Sequence, residues 1–212
     1  MQTVWLLMCA LGLAGCSING KQPLTAWGKQ GVSMLDYRTD SGQCALIAVT
    51  FEQNPTDANS AGGISIGSNG VISECTSKSN TGNGISANQS VAILNCTVSA
   101  NTIHGIQISD DCVVRGNACD SNGSAVANGS GIYVPSTSFP LTNSDNRIEG
   151  NNCSDNAYGI QVLYSGNVII RNTCTGNATA NFNISASNTK GTIVVATGVD
   201  ITTSNSYANF EY

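Results

Sequence analysis

The stretch Ile148-Glu149-Gly150-Asn151-Asn152-Cys153-Ser154-Asp155-Asn156-Ala157-Tyr158-Gly159-Ile160-Gln161-Val162 holds one turn of a repeat. Its asparagine recurs at Asn59, Asn80, Asn101, Asn122, Asn156 and Asn177, at intervals of 21, 21, 21, 34 and 21 residues. A Gly-Ile pair with alternating apolar residues recurs after it, as Gly63-Ile64-Ser65-Ile66, Gly84-Ile85, Gly105-Ile106-Gln107-Ile108, Gly131-Ile132-Tyr133-Val134 and Gly159-Ile160-Gln161-Val162. A fixed period near 21 built from short β-type segments predicts a solenoid, in which each turn buries its apolar face only by stacking on the next.

From the Gly-Ile strand each turn continues into a second apolar segment: Val71-Ile72, Val91-Ala92-Ile93, Val113-Val114, Arg147-Ile148 and Val168-Ile169-Ile170. Two or three short strands per turn predict parallel pairing with the equivalent strands above and below. The glycines mark tight corners, and Asn tolerates left-handed backbone and can hydrogen-bond its neighbour in the next turn. Cys75, Cys96, Cys119, Cys153 and Cys174 fall at comparable places in the repeat, which predicts one ladder of buried thiols. Side chains in such a ladder point the same way and do not converge as a disulfide requires. There is no CxxC pair, and the only histidine, His104, lies elsewhere in the turn, so the spacing does not suggest zinc.

These phrases, above all Gly-Ile-X-Ile and Ile-X-Gly-Asn-X-Cys-(X)2-Asn, resemble the repeats of right-handed parallel β-helix proteins of the pectate-lyase-like superfamily. The chain also resembles bacterial secreted β-helix proteins that end in a tail like Ala208-Asn209-Phe210-Glu211-Tyr212. The resemblance covers roughly residues 60 to 212. It implies an all-β solenoid of about six to seven coils, capped at both ends. It implies little about activity, because such a scaffold carries lyases, hydrolases, epimerases, tailspikes and assembly factors.

Around the repeats, residues 1–16 read as a signal peptide of lipoprotein type. Val4 to Ala14 is apolar throughout, and Leu13-Ala14-Gly15-Cys16 resembles a lipobox whose Cys16 would be lipidated. The departure is an n-region, Met1 to Thr3, without Lys or Arg. Export to the bacterial cell envelope or the extracellular space follows from this reading, with membrane attachment only through the lipid. Residues 17–45 are expected to form a non-repeating N-terminal cap, with a short helix considered around Trp27 to Tyr37, residues 46–187 the β-helix repeats, and residues 188–212 a last strand and an aromatic cap at Phe210 and Tyr212.

Only 10% of residues are charged and the net charge is −5, which argues against a sequence-independent electrostatic grip on nucleic acid. Aligning the turns converts exposed positions into columns. The outward position of the first strand reads Ser65, Ser86, Gln107, Tyr133, Gln161 and Asn183, with His104 and Tyr158 just before the glycine of two turns. Amides, hydroxyls and an aromatic ring suit a polysaccharide or cell-surface glycan, and equally an ordinary polar solvent face. A second column reads Ser73, Leu94, Arg115, Glu149 and Arg171, predicting a carboxylate between two guanidiniums, which would serve as a structural ion ladder or as a site for an acidic polysaccharide. A third reads Asn69, Ser90, Asp111, Asp145 and Asn167, where Asp111 and Asp145 would stack closely enough to share a calcium ion, or serve the turn alone.

Glycoside hydrolysis or lyase elimination calls for clustered carboxylates or Lys/Arg bases. The four lysines, at 21, 29, 78 and 190, all lie outside residues 105 to 175, and His104 has no aspartate in its own column. The sequence therefore leans towards a binding protein without an evident catalytic constellation. A small lyase, hydrolase or epimerase is the alternative, and a structural spacer or assembly module a further one. Thirteen extra residues between Asn122 and Asn156, divided between 123–130 and 135–143, mark where a specific function or a tolerated length change would sit.

Overall fold

The structure, a computed structural model, describes residues 36–37, 45–47, 50–52, 62–123, 128–136, 144–198 and 201–212, the first three of these segments only as backbone strands. The lipobox cysteine Cys16, the leader, and the cap and helix considered before residue 36 lie outside the described residues. Asp36–Tyr37 is a strand.

Every strand pairing is parallel, and the strands repeat on three faces. The first face stacks the beginnings of Ile64–Ser73 and Ile85–Leu94 on Ile106–Asp110, Ser130–Val134, Tyr158–Val162 and Ala180–Ile184. The second stacks the ends of the same two long strands on Val113–Arg115, Arg147–Glu149, Val168–Ile170 and Thr189–Lys190. Because the two ten-residue strands run through the corner, these faces form one twelve-stranded sheet. The third face is an eight-stranded sheet containing Thr76–Lys78, Thr97–Ser99, Ala118–Asp120, Asn152–Ser154 and Thr173–Thr175. Asp36–Tyr37, Ala45–Ile47 and Thr50–Glu52 add one strand to each face in turn.

Alternation decides what enters the core. Ile64, Ile85, Ile106, Ile132 and Ile160 point inward from the first face, and Ile72, Ile93, Val114, Ile148 and Ile169 from the second. Each such side chain removed from water contributes about 1.5–3 kcal/mol. A chain of short strands with few local contacts depends on these stacked columns for its stability.

Each corner is built by a residue pair. Its first member has left-handed backbone, as at Ser121, Asp155 and Gly176 after the third face, Gly116, Gly150 and Arg171 after the second, and Asp111, Asp145 and Gly166 after the first. The second member is an inward-turned asparagine amide, except where Cys75, Cys96 and Cys112 take the position. The asparagine column legible in the sequence, Asn80-Asn101-Asn122-Asn156-Asn177, is one of three. Asn117-Asn151-Asn172-Asn209 and Asn146-Asn167-Asn188 form the others. Within each ladder one Oδ1 accepts both the backbone N–H and the side-chain Nδ2–H of the residue one coil below, as Asn151 does for Asn117 at 3.0 and 2.9 Å. The Nδ2 also donates to a carbonyl deeper in the stack, as from Asn151 to Val114 at 2.9 Å. Backbone groups turned inward at the corners thereby keep partners.

The cysteines do not form the single ladder expected. Cys119, Cys153 and Cys174 are Cα partners on the third face, above Val98 and Ser77. Cys75 and Cys96 sit two residues earlier, in the corner column that asparagine occupies from Asn117 onward, and the Cys96 N–H donates to Asn117 Oδ1. Cys112 stands likewise below Asn146. All six are free and buried, in agreement with the thiol reading. The Cys153 thiol and burial push the Cys119 thiol well above its ordinary value, and burial pushes Cys112 up to about 11.

The repeated glycines answer to space rather than to an unusual φ. A Cβ on Gly131 would lie 2.8 Å from the Gly159 carbonyl oxygen and 3.0 Å from Asn156 Nδ2, so the amide ladder packs against the glycine column. Near the C-terminus, Asn209–Glu211 lies between Thr173–Thr175 and Ile193–Val195 on the third face. There Phe210 is half-buried and Tyr212 exposed.

Candidate functional site

The outward column of the first face is found as read: Ser65, Ser86, Gln107, Tyr133, Gln161 and Asn183 are successive Cα partners. Beside it runs a second column one strand-end earlier, in which Ser130 pairs with Tyr158 and the Ser130 carbonyl accepts from Gly105 N–H, next to His104. These two columns bring His104, Gln107, Tyr133, Tyr158 and Gln161 to one end of the first face. The inserted segments leave this strand at both its ends, and their residues 124–127 and 137–143 lie outside the described residues.

The centre of the group is a pair of stacked rings. His104 and Tyr133 have centroids 4.1 Å apart and planes inclined by 19°. His104 Nδ1 accepts the Ser130 backbone N–H at 3.1 Å, so this nitrogen carries no hydrogen and Nε2 carries the ring's single proton. Burial lowers the His104 pKa from 6.5 to about 4, which keeps the ring neutral at ordinary pH. The Tyr133 hydroxyl is pushed up by burial and stays protonated.

Ser130, which the sequence did not single out, ties the coils together. Its Oγ–H donates to Gln161 Oε1 at 3.0 Å, and its N–H engages His104 in the coil below. Gln161 is only 7% exposed, so it braces Ser130 rather than presenting an amide to solvent. Asn83, likewise missed, accepts the His104 N–H at 3.2 Å and donates to Gln107 Oε1 at 2.8 Å. The available signal for both was their place in the column just before the repeated glycine. His104 thus has a backbone amide rather than a carboxylate as its ring partner.

The charged columns differ from the sequence reading by one register step. Glu149 is the Cα partner of Arg115 on one side and of Ile170, not Arg171, on the other. Its carboxylate pairs with Arg147 of its own strand and with Arg171, each at 2.8 Å. Hydrogen bonds from Arg147 and Arg171, partly opposed by desolvation, hold its pKa below the ordinary value. Arg171 also donates to the Ser206 carbonyl at 3.0 Å and lies 5.0 Å over the Tyr207 ring. It thus fastens the C-terminal segment, on a different face from His104.

The same step moves Asn167 out of the aspartate column into a corner ladder, with Gly166 in its place. Asp111 and Asp145 are stacked neighbours, both with left-handed backbone, which accounts for short polar residues there. Beside them Asp110 Oδ1 accepts the Ser144 N–H at 3.0 Å. Among the described residues no three His, Cys, Asp or Glu side chains form a group suited to a metal.

Residues 13–140, more than half of the chain, match the family model described as right handed beta helix region. No curated protein and no solved structure matches the chain. Parallel strands on three faces, continuing past residue 140 with the same corner ladders, agree with that match. The chain therefore belongs to the right-handed β-helix family.

Proposed function

We propose that this protein binds a glycan on the outer surface of its first face, with the His104–Tyr133 pair as the contact centre. The observation that carries the reading is the stacked ring pair, flanked by Gln107 in the adjacent coil and fixed through Ser130. Flat rings beside amides match the alternation of apolar ring faces and hydroxyls on a sugar. The proposal includes export and a lipid anchor at Cys16, which rest on the lipobox-like Leu13-Ala14-Gly15-Cys16.

A panel of immobilised neutral and acidic polysaccharides tests the binding. At least one neutral polymer is expected to retard the native protein in affinity electrophoresis. Tyr133→Ala removes one ring of the stack and is expected to weaken that binding about three- to tenfold, the value of a lost aromatic contact. Failure to bind any member of the panel overturns the proposal. Incorporation of labelled fatty acid that disappears in Cys16→Ser would carry the anchoring part, and equal labelling of both would remove it.

A further inference from the structure

Hydrogen-bond polarity across the candidate site narrows the ligand, on the premise that the site binds a glycan at all. The reasoning starts from a donor that cannot reverse. The backbone N–H of His104 donates to Asn83 Oδ1 at 3.2 Å, which sets the orientation of that side-chain amide. Asn83 Nδ2 then faces the opposite way and spends its two hydrogens on Ser86 Oγ at 3.2 Å and Gln107 Oε1 at 2.8 Å. Gln107 must therefore offer its carbonyl inward. Its NH2 group is left facing away, without a partner among the described residues.

The same logic applies to the imidazole. Its Nδ1 accepts the Ser130 N–H, so Nε2, which has no partner among the described residues, bears the hydrogen. Gln161 and Ser130 are bonded to each other and buried, so neither presents an acceptor at the surface. Among the described residues two donors near the Tyr133 ring have no partner, one on Gln107 and one on His104, and the Tyr133 hydroxyl can donate or accept.

Two neighbouring donors favour a strong neutral acceptor. A sugar hydroxyl is both donor and acceptor. An acyl carbonyl oxygen is acceptor-only, with two lone pairs for the two donors, while the acetamido N–H turns to water or to the Tyr133 hydroxyl. A carboxylate also only accepts, yet the described first-face strands contain no Lys or Arg, carry Asp110, and belong to a chain of net charge −5. An uncharged acyl group fits best, its methyl lying against the stacked rings. We infer that the site reads the acyl carbonyl of an N-acetylated sugar through Gln107 Nε2–H and His104 Nε2–H, with Asn83 as the positioning residue that fixes the polarity.

The test compares N-acetylated chitotetraose with cellotetraose, which has the same linkage and a hydroxyl in place of each acetamido group, by titration calorimetry. The acetylated ligand is expected to bind about tenfold more tightly, the worth of one to two neutral hydrogen bonds. Asn83→Asp keeps an acceptor for the His104 N–H but removes both side-chain donors. Gln107 then turns its NH2 inward and its carbonyl outward. This variant should lose the preference for the acetylated ligand, the ratio of the two affinities falling to about one. Gln107→Leu, on the half-buried outer face, should lose the preference as well and covers the case in which Asn83→Asp fails to fold. Equal binding of the two ligands by the native protein, tighter binding of tetragalacturonate, or an undiminished preference in a folded Asn83→Asp protein overturns the inference and leaves glycan binding standing. Absence of binding to all three ligands overturns the inference, and failure across the polysaccharide panel as well overturns the glycan reading on which it rests.

Discussion

The amides in the corners and those on the first face are chemically alike but placed differently. In the corners an interior ladder asparagine such as Asn151 meets a fixed set of partners: two donors from the coil below, one acceptor above and one carbonyl deeper in the stack. On the first face Asn83 and Gln107 share a single direct bond, and Gln107 keeps its NH2 group for solvent. The difference shows that Asn richness has two roles here. Satisfied on every side, the amide substitutes for backbone pairing that a sharp corner would break. Satisfied on one side, it keeps an oriented donor without a partner among the described residues.

Removing a ladder amide should have the largest effect. Asn151→Ala leaves the buried Asn117 N–H and Nδ2–H without their acceptor and strips donors from Val114 and Asn172. A loss of about 3–5 kcal/mol is expected from urea unfolding, since each unsatisfied buried group costs about 1–3 kcal/mol. A loss below about 1 kcal/mol would mean that water enters the corner and the ladder is not a structural requirement.

The first face should respond to acid where the corners do not. His104 has a folded pKa near 4 against 6.5 when free. Between these values the unfolded chain takes up a proton that the folded chain refuses, so stability falls as pH drops from 6.5 towards 4. The contribution is complete above pH 6.5 and fully lost below pH 4. Its ceiling is roughly 3 kcal/mol, lowered by solvent screening of the partly exposed ring. Urea midpoints measured at several pH values should show a shallower acid slope in His104→Gln than in the native protein. Identical slopes would place the acid sensitivity elsewhere.

The smallest expected change is a gain. Cys112 occupies a ladder position, and its thiol lies against the Asp110 and Asn88 carbonyls where an asparagine would offer an amide. Cys112→Asn should extend the ladder by one coil and raise stability by about 0.5–1 kcal/mol, read as a higher urea midpoint. A lower midpoint would show that the thiol fills a space the amide does not fit.

Much of this was legible before the structure. Ile132, Tyr133 and Val134 align with Ile160, Gln161 and Val162 by counting alone, and the outward column followed. The misreadings also have sources in the sequence. Cys75 and Cys96 lie three residues after the inward Ile and five before the Asn, whereas Cys119 and Cys153 lie five after the inward Val114 or Ile148 and three before the Asn. That two-residue offset already separated two columns. In Val168-Ile169-Ile170 both isoleucines are buried, so the apolar pattern does not say which one is in register with Ile148. Choosing Ile170 displaced Arg171 and Asn167 by one step.

The sequence alone determined the parallel solenoid, its 21-residue period, the buried thiols and the polar column of the first face. Those follow from side-chain alternation and repetition, which are local properties of the chain. The tertiary structure decided the third face, the two further amide ladders, the burial of Gln161 and the stacking of His104 on Tyr133 through Ser130. These depend on where neighbouring coils set their atoms. A linear pattern fixes which residues share a column, while rotamer, hydrogen-bond direction and exposure are fixed only when the columns pack together.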